Sequence, residues 1–141
     1  MGRIQPNMEA VKDWVALLDE DEDDYLFWQH GFHSWATHLD LYWFSSVHAF
    51  LSAAALGKSN PVALVMDGVV PRGEETKWLS TMLLHPSCEK ACLIMLSTQL
   101  EDQQHQVYMD LGATDHLIKP VSIHELKASV LRVSGHIADR K

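Results

Sequence analysis

Short apolar runs punctuate this chain at residues 14–18, 62–66, 92–96 and, more weakly, 113–118, with helix-length segments between them. Runs of about five apolar residues at such spacing read as parallel strands buried on both faces. Each run ends in residues that carry chemistry. Six consecutive acids, Asp19, Glu20, Asp21, Glu22, Asp23 and Asp24, follow the first; Asp67 follows the second, Ser97 the third and Lys119-Pro120 the fourth. In open parallel sheets, ligands bind outside the carboxyl ends of the strands. An acid cluster, a lone Asp, a hydroxyl and a Lys should therefore meet at one edge. That set suits a divalent cation and a phosphoryl group.

The segments between the runs complete a βα alternation. Carboxylates favour a helix N-terminus, so a helix should start inside the acidic run and continue through Tyr25 and Trp28 towards Trp35. Residues 39–44 read as an edge strand of mixed, aromatic-rich pattern, and edges invite pairing. Ser45 or Ser46 can cap a helix over 47–56, which Gly57 ends. Further helices are expected over 74–84 and 100–111, the first stopped before Pro86 and the second closed by Gly112. Ser122 with Glu125 predicts a capping box for a last helix ending near Gly135. The expected fold is a five-stranded doubly wound parallel sheet in three α/β/α layers. Residues 1–13 read as an N-terminal extension, 14–135 as one domain and 136–141 as a tail.

Composition narrows the function. A net charge of −8 argues against nucleic-acid binding by this domain, which would need a basic face. The apolar stretches are far too short to span a bilayer, and the first residues show no apolar signal region, so a cytoplasmic protein is the expectation. Cys88 and Cys92 lack nearby metal-ligand partners, and Cys92, inside an apolar run, reads as a buried free thiol.

Four motifs then match, in order and spacing, the receiver domain of bacterial two-component response regulators, the CheY-like form of the flavodoxin-like (βα)5 fold. Leu17-Leu18-Asp19-Glu20 resembles the acidic pair after the first strand. Val65-Met66-Asp67, with Pro71 four residues on, resembles the phosphoacceptor strand. Met95-Leu96-Ser97-Thr98 resembles the Ser/Thr-small pair. The segment from Leu111-Gly112 to Lys119-Pro120 is the most specific match. The resemblance covers about residues 14–135.

What the resemblance implies is concrete. Asp67 is the phosphoacceptor. Asp19, Glu20 and Asp67, with the backbone carbonyl of Val69, hold Mg²⁺. Lys119 and Ser97 contact the phosphoryl oxygens, and backbone amides near Gly68 and Thr98 add donors. Ser97 and His116, at the usually aromatic switch position, couple the site to the face of the fourth helix, fifth strand and fifth helix. The Lys119-Pro120 bond is expected to be cis. The implied role is a signalling module rather than an enzyme. It takes phosphate from a histidine kinase or a His-phosphotransfer protein, acts on a downstream protein not legible here, and could form a homodimer through that same face.

The chain also departs from the family. Glu20 stands where a directly ligating Asp is usual, and its extra methylene moves the carboxylate by roughly one bond length. Asp19 or Asp21 is an alternative ligand. Gly68 replaces a larger residue, and His116 is polar. Asp23 and Asp24 read as a solvated helix start. These departures support an alternative, a pseudo-receiver that binds proteins without being phosphorylated. A phosphohydrolase with an Asp nucleophile typically needs a second Asp two residues on, where Val69 stands.

Overall fold

Strands and helices alternate along the chain as the apolar runs predict: β1 (Asp13–Asp19), α1 (Glu22–Trp35), β2 (Leu39–Phe44), α2 (Val47–Leu56), β3 (Ala63–Asp67), α3 (Glu75–Leu84), β4 (Cys92–Ser97), α4 (Asp102–Leu111), β5 (Asp115–Ile118) and α5 (Ile123–Arg140). The computed structural model describes residues 12–56, 59–67 and 74–140. Gly68, Val69 and Pro71, and the extension up to residue 11, lie outside the described residues. The strand order is β2-β1-β3-β4-β5, every pair parallel. Strand order reverses between β1 and β3, and there Asp19 and Asp67 are register partners. Among the described residues no helix is long and apolar enough to cross a membrane.

Alternation along each strand splits the core into two layers. Val15, Leu17, Val65, Ile94 and Leu96 face α1 and α5, meeting Trp28, Phe32, Leu126 and Val130. Ala16, Leu18, Leu64, Leu93 and Met95 face α2, α3 and α4, meeting Phe50, Leu79, Met82 and Tyr108. Cys92 is a buried free thiol, as expected, and so is Cys88.

Local chemistry sets the ends of the elements. Asp21 caps α1, its carboxylate accepting the Asp23 amide at 2.9 Å. Gly112 ends α4 in the left-handed region, at φ 113°, a conformation that costs glycine little. Ser122 accepts the Glu125 amide at 3.1 Å, but Glu125 reaches back to the amide of Val121 rather than that of Ser122.

Two expectations change. α5 does not stop at Gly135 but runs to Arg140, because Ile137 is buried against the sheet and His136 is tied to β5. The Lys119-Pro120 bond is trans; no cis peptide occurs among the described residues. β2 is an edge strand, as expected, and its aromatic tract is largely internal. Trp43 is buried, stacks on Tyr25 at 5.5 Å and donates its indole N–H to the Asp19 carbonyl at 2.6 Å.

β5 is fastened to α5 by charge. The buried Asp115 carboxylate accepts from Arg132 Nε at 2.6 Å and Nη2 at 3.1 Å, and lies 2.7 Å from His136 Nε2. Burial pushes the Asp115 carboxyl up, but hydrogen bonds from His136, Arg132 and the His116 amide outweigh it and hold it below its ordinary value. A carboxyl held low in the folded state stabilises fully above its unfolded value of 3.8, and that stabilisation is lost as pH falls through the folded value. Asp115→Asn should therefore cost about 2 kcal/mol at neutral pH. In urea titrations the gap to the parent protein should shrink below pH 3.8.

α1 and α5 approach closely at Gly31. A Cβ there would lie 2.9 Å from Leu126 Cγ and from Val130 Cγ2, both fully buried. Gly31→Val should lose about 2–3 kcal/mol through overpacking. Gly135→Ala meets nothing within 4 Å and should gain up to about 1 kcal/mol in the same denaturation assay.

Candidate functional site

The carboxyl ends of β1 and β3 bring two acids side by side, and α1 adds a third. One carboxylate oxygen each from Asp19, Asp24 and Asp67 lies within 4.8 Å of the others. Asp24 reaches the site because α1 starts at Glu22 and its first turn stands above the sheet edge. Lys119, just past β5, closes the group. Its Nζ is 2.7 Å from Asp24 Oδ2 and 2.8 Å from Asp67 Oδ2. The bond to Asp24 is an aligned hydrogen bond, whereas Asp67 Oδ2 is paired by charge without an aligned donor. The Lys119 amide donates to the Ser97 carbonyl at 2.8 Å, which seats the lysine beside β4.

Three carboxylates facing one ammonium leave excess negative charge. Lys119 responds as expected: burial alone would lower its pKa, but Asp24 and Asp67 outweigh that and raise it. Asp19 takes up the strain. Burial pushes its carboxyl up to about 8, with Asp67 and Asp24 adding to the shift. Its Oδ1 accepts the Asp21 amide at 2.9 Å, but its Oδ2 is buried without any partner. A buried polar atom left unpaired is costly, and here it sits within an oxygen-only donor set. Oxygen donors of this kind suit Mg²⁺ or Mn²⁺. The cluster could thus hold a divalent cation.

The residues expected from sequence fall into groups. Asp19, Asp67 and Lys119 are together. Ser97 is half-buried and bonds instead to His116, its Oγ 2.8 Å from Nε2. Thr98 is exposed beside it. Glu20 is exposed and is not one of the three converging acids. Asp21 is engaged as the α1 cap. Gly68 and Val69 lie outside the described residues.

Sequence reasoning placed Asp24 with the solvated acids. A signal was available, because Asp24 precedes the buried Trp28 by four residues and so shares the sheet-facing side of α1. Trp43 was also missed as a support for Asp19. No simple pattern pairs a β2 indole with a β1 carbonyl.

No protein-family model and no curated protein matches the chain. Solved structures do. A response regulator from Thermotoga maritima is 16% identical with a TM-score of 0.74, covering 91% of this chain and 99% of its own. The phosphorylated cyanobacterial phytochrome response regulator RcpA is 12% identical with a TM-score of 0.74, covering 93% and 97%. The Mn²⁺-bound form of the response regulator Rcp1 is 13% identical with a TM-score of 0.70, covering 87% and 92%. The fold is therefore the receiver-domain fold of response regulators.

If Asp24 rather than Glu20 completes the cation site, titration with Mg²⁺ or Mn²⁺ should stabilise the protein. At a hundred times Kd the gain is about 2.7 kcal/mol. Asp19→Asn and Asp24→Asn should abolish it in thermal denaturation, and Glu20→Gln should keep it. The reverse pattern would return the ligand role to Glu20.

Proposed function

We propose that this protein is a single-domain response regulator that accepts a phosphoryl group on Asp67 from a histidine kinase or a His-phosphotransfer protein. The observation that carries this reading is the convergence of Asp67 with Asp19, Asp24 and Lys119 at the switch point of a receiver-like sheet. In such sheets the switch point is where ligands bind.

The chemistry follows from the groups present. An Asp67 carboxylate oxygen attacks phosphorus, an O–P bond forms, and the bond to the donor breaks with its electron pair leaving on the donor. Lys119, already 2.8 Å from Asp67 Oδ2, pairs with the incoming phosphoryl oxygens. Ser97 ends the adjacent strand and offers a hydroxyl. Asp19, Asp24 and Asp67 would hold Mg²⁺, which when bound offsets the negative charge of carboxylates and phosphoryl oxygens. Among the structural relatives RcpA is phosphorylated and Rcp1 binds Mn²⁺, which supports this reading.

Output is by altered protein binding rather than by turnover of a substrate, and the reading places the protein in the cytoplasm. The face of α4, β5 and α5 exposes Leu100, Ile118, Val121 and Ile123, an apolar surface on which a downstream protein or a second copy could dock. The net charge of −8 supports a protein partner over a nucleic acid. The alternative is a pseudo-receiver that binds proteins without phosphorylation. It draws support from Lys119, whose charge is already met by two carboxylates.

Incubation with acetyl phosphate and Mg²⁺ should add one phosphoryl group by intact mass, and Asp67→Ala should abolish the addition. Lys119→Ala should slow it by about 10²–10³-fold, the scale for removing one stabilising donor. A parent protein that stays unmodified at saturating donor and Mg²⁺ establishes the pseudo-receiver reading instead.

A further inference from the structure

The sheet has two edge strands, and they are finished differently. β5 is four residues long, carries the buried Asp115 and runs into Lys119-Pro120. Short length, an inward charge, lysine and proline are devices that keep an edge from pairing with another chain. β2 lacks most of them. Its six residues, Leu39-Asp40-Leu41-Tyr42-Trp43-Phe44, include no Gly, Pro or Lys. Its one charge, Asp40, is met by Lys12 Nζ at 3.6 Å.

The backbone of β2 shows which groups face outward. In a parallel sheet, alternate residues of a strand bond to alternate neighbours. On β1, the Trp14 carbonyl takes the Val62 amide beside β3, whereas the Asp19 carbonyl faces β2 and takes the Trp43 indole N–H. Odd-numbered residues of β1 thus bond to β2, and by the register of Val15 with Leu41 they meet Asp40 and Tyr42. Leu41 and Trp43 therefore turn their N–H and C=O groups to the open side, where no strand stands among the described residues. Leu39 turns out its carbonyl, its amide being given to Ala36 at 3.0 Å. Beside this edge lies a groove of about 250 Å³, lined by Leu39 and Leu41 of β2 and by Gln29, Phe32 and His33 of α1. A row of alternating donors and acceptors is satisfied by another strand, whose side chains on the α1 side would enter the groove.

We propose that two copies of this chain pair through β2, antiparallel about a two-fold axis at Leu41, joining their five-stranded sheets into one. The two Leu41 residues exchange both backbone bonds, and the Trp43 amide of each copy reaches the Leu39 carbonyl of the other. The side chains agree with that register. On the α1 side Leu41 meets Leu41, and Leu39 meets Trp43. On the other side Asp40 stands opposite Tyr42 rather than a second acid. The two Asp40 residues are diagonal neighbours about 7–8 Å apart, and each keeps its own Lys12. A chain of net charge −8 repels its own copy, and this edge brings balanced charge to the contact. Each copy spends its undefended edge, so assembly closes at a dimer. The α4–β5–α5 face stays open for a downstream protein. The pairing does not rest on the phosphoacceptor reading.

Sedimentation velocity of the full chain from about 1 µM to 1 mM, the range of weak interfaces, tests the pairing alongside residue-by-residue amide hydrogen exchange. Expected is a concentration-dependent passage from monomer to dimer, with the Leu41 and Trp43 amides slowed about tenfold or more in the dimer. Lys12→Glu, at a side chain about half exposed, sets like charges along the seam. It should raise the concentration of half-association by about tenfold. Leu41→Pro removes the outward amide at a kind of edge position that tolerates proline, and should leave a monomer throughout. Lys12→Glu carries the test if that variant does not fold. A chain that stays monomeric at about 1 mM overturns the pairing. Slow Leu41 and Trp43 amides in such a monomer would give the edge to another part of the same chain. A dimer whose Leu41 and Trp43 amides exchange as fast as in the monomer also overturns it, and moves the contact to another face. Growth beyond a dimer overturns the two-fold closure.

Discussion

Three carboxylates meet at the point where the sheet changes direction, and one ammonium group pairs with two of them. Asp19 and Asp67 are forced side by side by the register of β1 and β3, and Asp24 is brought over them by the first turn of α1. Ionised groups at such separations repel by about 3 kcal/mol per pair at an effective dielectric near 20. Lys119 offsets part of this, and Asp19 offsets more by keeping its proton up to a pH of about 8. The unpartnered Asp19 Oδ2 is the residue of that imbalance. A doubly charged cation at this cluster could offset the remaining excess of negative charge.

The surroundings keep this edge in place. Trp43 donates to the Asp19 carbonyl and stacks on Tyr25, so β2 and α1 both brace the end of β1. The Lys119 amide binds the Ser97 carbonyl, so the lysine moves with β4. On one side of β5, Asp115 is locked to Arg132 and His136 of α5. On the other, His116 points towards α4 and joins Ser97 to His105. Adjacent residues of a strand face opposite layers, so β5 carries a charged clamp on one face and a polar chain of Ser97, His116 and His105 on the other.

Much of this was legible in the residues. The apolar runs announced parallel strands because strands buried on both faces show no alternation. The chemistry at the end of each run announced the site edge. Gly112 and Ser122 marked helix ends through backbone conformation and capping. Other features were not legible. The end of α5 depended on Ile137 finding the sheet and His136 finding Asp115, contacts made across 21 residues or more. The aromatic β2 tract read as an edge strand, but no pattern showed that Trp43 donates to the Asp19 carbonyl of the neighbouring strand.

The sequence by itself determined the layer order and the identity of the phosphoryl-site candidates Asp67, Lys119 and Ser97, because apolar periodicity and strand ends are local properties. Only the tertiary structure decided which acid of the run at 19–24 joins Asp19 and Asp67. Six neighbouring carboxylates are equivalent on paper. The start of α1 turns Asp24 inward to Lys119, spends Asp21 on the cap and leaves Glu20 in solvent. It likewise decided that His116, a polar residue in a buried strand, is satisfied by Ser97 and His105, since a hydrogen bond between β4, β5 and α4 exists only once all three are packed.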